Sequence, residues 1–90
     1  MHKNIRLYNE TLQAINFLES GLIIFNNRVT EFNKRELEDY INKLDRNKAE
    51  FEIYYTGPEL IKLQVLERIQ GVRDKAIISI QEFNQSSINH

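Results

Sequence analysis

Side chains able to do chemistry are few in this chain, and they are scattered. The only two histidines of the 90 residues, His2 and His90, stand at opposite ends, and there is no cysteine. A transition-metal site needs His, Cys or carboxylate ligands at short fixed spacing, so none is expected. Thiol chemistry and disulfides are excluded outright. A phosphorelay would need its histidine on an exposed mid-helix face, where this chain has none. Gly21, Gly57 and Gly71 are isolated rather than clustered ahead of a helix, so no phosphate cradle and no cofactor is expected.

Carboxylates gather twice, at Glu36, Glu38 and Asp39 and at Glu50 and Glu52. An acid and base pair needs surroundings that separate two pKa values, whereas the first group sits in a polar stretch. There the acids simply face the positive end of a helix. Arg6 and Arg28 are about six helical turns apart and about 40° from each other in phase, both beside an apolar stripe. With Arg73 they are the cations that a small dimeric enzyme could aim into an inter-helix pocket for an anionic, dicarboxylate-like substrate. No catalytic residue is assigned, and binding is expected rather than catalysis.

Twelve basic and 13 acidic residues are interspersed along the chain, for a net charge of −1. A general electrostatic footprint for nucleic acid is therefore not expected. A helix-turn-helix reader built on Thr56-Gly57-Pro58 would open its recognition helix with Glu59, an acid facing phosphates. The longest apolar run is Leu22-Ile23-Ile24-Phe25, and the first residues lack an apolar export region, so neither membrane insertion nor secretion is expected. At 41% hydrophobic and 28% charged, the chain reads as one folded domain, and its lack of cysteine is compatible with a cytoplasmic setting.

One proline and three glycines leave few places to break a helix. Ile5, Tyr8, Leu12, Ile15, Leu18, Leu22, Phe25, Val29 and Phe32 recur at steps of three or four, predicting a first helix over about 4–32. Asn33 with Glu36, flanked by Phe32 and Leu37, carries a capping box and a hydrophobic staple, so a second helix is expected over about 34–55. One helix running straight through is the rival reading. The second stripe is Leu37, Tyr40, Ile41, Leu44, Phe51 and Tyr55. Gly57, suited to a left-handed cap, and Pro58 mark the clearest turn. A third helix follows over about 58–84, with Ile61, Val65, Ile69, Val72, Ala76, Ile80 and Phe83 on one face. The polar residues 85–90 are expected to fray. Two short connections make this an all-α, up-down-up bundle of three long antiparallel helices, the outer ones about 40 Å long.

Apolar residues exceed one face on the first and third helices. Phe17 and Ile24 share a flank with Gly21, and Leu60 and Ile78 fall together beside Gly71. Surface hydrophobes and glycine defects costing about 1 kcal/mol each are one account of this. The other is that small residues between apolar ones admit another helix, so that Phe17, Gly21, Ile24, Leu60, Gly71 and Ile78 form an interface with the second helix outside it. The expected partner is a second copy of the chain, as a homodimer, or another protein. The expected function is that of a small protein-protein interaction module: a regulator, inhibitor, immunity protein or assembly factor. Tyr54 and Tyr55 point about 100° apart, so one of them is expected at the mouth of the second turn.

Overall fold

The computed structural model describes residues 2–88, and the side chains of residues 2–86. It is an up-down-up bundle of α1 (His2–Asn27), α2 (Glu31–Tyr54) and α3 (Glu59–Ile88). Its extents are 52 × 18 × 18 Å and its radius of gyration is 14.7 Å, against about 12 Å for a near-spherical chain of this length. The expectation for residues 89 and 90, His90 included, lies outside the described residues. No helix among them is long and apolar enough to cross a membrane.

The first junction falls earlier than the apolar spacing suggested. Helix α1 stops at Asn27, and Thr30 is the N-cap of α2, its extended backbone (φ −129°, ψ 160°) placing Oγ1 to accept from the Asn33 amide at 3.1 Å. Asn33, expected to be the cap, instead lies in the first turn and donates its side-chain amide to the Arg28 carbonyl at 2.8 Å. One residue thereby ties the end of α1 to the start of α2. Val29 and Phe32 consequently leave the predicted stripe and are exposed.

The buried face of α1 is also rotated from the predicted one. Leu7, Thr11, Ala14, Leu18, Gly21 and Phe25 are buried at alternating steps of four and three, the spacing of a helix-packing seam. Ile5 is exposed. Thr11 fits because its hydroxyl donates to the Leu7 carbonyl at 2.7 Å, leaving no polar group unmatched. Ile15 is buried on the adjoining row, with Tyr8, Leu12 and Leu22 packed against the core.

Helix α2 supplies Leu37, Ile41, Leu44, Phe51 and Tyr55, and α3 supplies Val65, Ile69, Val72, Ala76 and Ile80, as their stripes predicted. Phe25 meets Phe83 edge to face, centroids 5.8 Å apart, closing the core at one end. Beyond Phe83, α3 runs to Ile88, four residues past the expected end near Asn84. Lys34 of α2 helps tether this stretch, donating to Asn84 Oδ1 at 3.3 Å with its ammonium over the Phe83 ring.

Candidate functional site

The second junction builds a pocket at the opposite end of the bundle. Asn4, in the first turn of α1, accepts from the Thr56 amide at 3.0 Å through Oδ1 and donates to Thr56 Oγ1 at 3.2 Å through Nδ2. This clamp joins residues 52 positions apart and holds the α2–α3 turn against α1. Tyr55 folds inward as the C-cap of α2 and stacks on Phe51, with ring centroids 4.5 Å apart. Gly57 makes room for it, because a β-carbon there would lie 2.5 Å from the Tyr55 hydroxyl and 2.6 Å from Cζ. The backbone at Gly57 has no positive φ, so space, not the expected left-handed cap, accounts for this glycine.

A cavity of about 360 Å³ results, lined by Ile5, Tyr8, Tyr55, Pro58 and Ile61, with Asn4 and Gly57 at its edge. The volume lies in the range of ligand sites. Its amide side chain, Asn4, is already engaged by Thr56, so the walls are uncharged and mostly apolar, the Tyr8 and Tyr55 hydroxyls being their other side-chain polar groups. Ile5 is 60% exposed on the rim. Tyr54, next along the chain, is exposed too, with the Lys3 ammonium 4.3 Å above its ring. Of the tyrosine pair, Tyr55 is therefore the one at the turn's mouth.

The six residues predicted to form an interface are not gathered into one patch. On α1, Phe17 and Ile24 are exposed, but Gly21 between them is buried within the chain. A β-carbon at Gly21 would lie 2.7 Å from Tyr40 Cδ2 and 3.6 Å from Leu37 Cδ1, and Phe17 stacks on that same Tyr40 ring at 6.2 Å. Gly21 thus serves the α1–α2 contact and is not open to another molecule. On α3, Leu60, Gly71 and Ile78 are all exposed on one side, and a β-carbon at Gly71 would meet nothing within 4 Å.

The cations are not gathered either. Arg6 pairs with Glu10 on the surface of α1 at 3.7 Å. Arg28 lies at the far end, about 33 Å away by helical rise. Arg73 makes a two-pronged contact with Asp45, at 2.9 Å from Nε and 3.2 Å from Nη2. That hydrogen bond raises the Arg73 pKa above its ordinary value, aided by the nearby charges of Asp45 and Asp74 and opposed by desolvation. Arg73 and Asp45 line a groove of about 600 Å³ between α2 and α3, over Ile41, Ile77 and Ile80. Neither Arg6 nor Arg28 reaches it. Among the described residues no group of three or more His, Cys, Asp or Glu could hold a metal.

Sequence reasoning placed Ile5 and Tyr8 in the core and so missed the pocket. The available signal was Asn4, an amide one position from an apolar stripe, with Thr56 in the turn. No protein-family model, curated protein or solved structure matches this chain.

Proposed function

We propose that this chain is a small helical protein-protein interaction module, acting by binding as a regulator, inhibitor, immunity protein or assembly factor, and that the end pocket is its anchor site. The single observation carrying this reading is the apolar cavity edged by an exposed isoleucine. Its walls offer no charge to orient a polar substrate, and its one amide is spent on the turn. An apolar side chain of a partner protein fits such a site, since binding energy concentrates where a buried anchor fills a pocket. The exposed Ile5 extends the apolar surface to the rim of the cavity, giving an anchored residue a flanking contact. A cytoplasmic site of action belongs to the same reading, and the cysteine-free composition is compatible with it.

The test is affinity isolation from the source cell with the tagged chain, quantified by mass spectrometry, beside Ile5→Asp and Val29→Asp. Both sites are exposed, so both variants are expected to fold. The expected result is a protein retained by the wild type and by Val29→Asp but depleted about tenfold by Ile5→Asp, the loss of an anchor worth about 1.4 kcal/mol. An identical set of captured proteins for all three chains defeats the proposal.

A further inference from the structure

We propose that the outer face of α3 pairs two copies of this chain side by side in parallel, about a twofold axis running along the bundle. At 100° per residue, Leu60, Gln64, Gly71 and Ile78 run down the centre of this face. Glu67 and Asp74 form one flank, and Arg68 and Lys75 form the other. Leu60 is 67% exposed and Ile78 54%. Gly71 is a glycine in mid-helix whose missing side chain nothing within the chain requires, since a β-carbon would meet open space. Paired with its own copy, it lets two helix backbones approach closely, with Leu60 and Ile78 each meeting their own counterparts.

Charge selects both the occupant and the orientation. A parallel twofold turns the acidic flank of one copy toward the basic flank of the other, setting Glu67 beside the partner's Arg68 and Asp74 beside the partner's Lys75. An antiparallel twofold would set Glu67 beside the partner's Asp74 and Arg68 beside the partner's Lys75, acid on acid and base on base. Among the described residues, Glu67 and Lys75 have no ion pair within the chain. Arg68 holds Glu19 of α1 at 2.8 Å, and Asp74 accepts from Gln70 at 2.7 Å.

Ile23 of α1, exposed beside Gly71 in the groove between α1 and α3, widens the apolar centre. Parallel pairing also points both end pockets the same way, making the dimer bivalent toward a partner. The pairing does not depend on the end pocket being a binding site.

Sedimentation equilibrium of the full chain at tens of micromolar tests it. The wild type is expected at twice the 10.7 kDa chain mass, and Ile78→Asp at the chain mass with unchanged helicity. Asp74→Lys and Lys75→Glu each set two like-charge pairs across a parallel axis, so each alone is expected to raise the dissociation constant about tenfold or more. Mixing those two variants restores opposite charges on both flanks and returns the dimer mass. Ile5→Asp leaves the dimer intact, separating this result from failure of the end pocket. A monomeric wild type, or a dimer unmoved by Ile78→Asp and by both charge variants, overturns the proposal. Tightening by either single charge variant overturns it equally, because that is the antiparallel outcome.

Discussion

Gly21 and Tyr40 are held so close that a β-carbon on the glycine would lie 2.7 Å from Cδ2 of the ring. The approach of α1 to α2 at this point therefore depends on the absence of a side chain. Gly21→Ala gains about 1 kcal/mol of helix propensity but must displace a ring that also stacks on Phe17. Strain of about 1–3 kcal/mol is typical for such overpacking. The expected net result is a destabilisation of about 1 kcal/mol in urea unfolding, abolished when Tyr40→Ala is made first.

Gly71→Ala behaves in the opposite sense. With nothing within 4 Å of the new methyl, helix propensity acts alone, and the isolated monomer is expected to gain about 1 kcal/mol. Thermal unfolding at sub-micromolar concentration, where self-association does not contribute, measures it. A loss of stability would mean that Gly71 is packed within the chain.

The first junction makes its own prediction. Thr30 caps α2 through Oγ1, so Thr30→Ala is expected to cost about 1 kcal/mol. Phe32→Ala, at an exposed site, should change stability by less than about 0.5 kcal/mol. Phe25→Ala, in the buried edge-to-face pair with Phe83, should cost about 3–5 kcal/mol. Equal effects at Phe25 and Phe32 would restore the longer first helix.

These residues also show where sequence reading succeeds. The stripe of α2 was legible because its apolar positions follow one row, from Leu37 to Tyr55, and the principal row of α3 proved buried although Leu60, Leu63 and Ile78 lie outside it and are exposed. In α1 apolar residues cover more than half the circumference, so several rows fit equally well. Ile5, Val29 and Phe32 matched the spacing and proved exposed, while Thr11 hid in the core because its own helix satisfies its hydroxyl. The junction carried two overlapping caps, Thr30 and Asn33, and both are used, one for each helix end. The pocket was missed because Asn4 and Thr56, each visible in the sequence, are joined as a clamp only once the bundle has closed.

Asp45 and Arg73 are expected to contribute little despite their geometry. Their side chains are 35% and 39% exposed, for Arg73 and Asp45 respectively, so solvent screens the pair and a double-mutant cycle should give about 0.5–1 kcal/mol, falling as salt is added. A salt-independent coupling well above that would show that the α2–α3 groove is drier than its exposure indicates.

Gly57→Ala probes the pocket itself. Its new methyl would meet the Tyr55 hydroxyl at 2.5 Å, pushing the ring off Phe51 at a cost of about 1–3 kcal/mol. Since the backbone there has no positive φ, the cost comes from the ring. Tyr55→Phe, which removes the nearest atom, should recover part of it in the double variant.

Photocrosslinking in the source cell tests the central claim most directly. With p-benzoylphenylalanine replacing Ile5 at the pocket rim, the account predicts a discrete adduct to one partner protein on irradiation, and no such adduct with the same group at Val29, at the opposite end of the bundle. No adduct from position 5, or the same adduct from both positions, would contradict it.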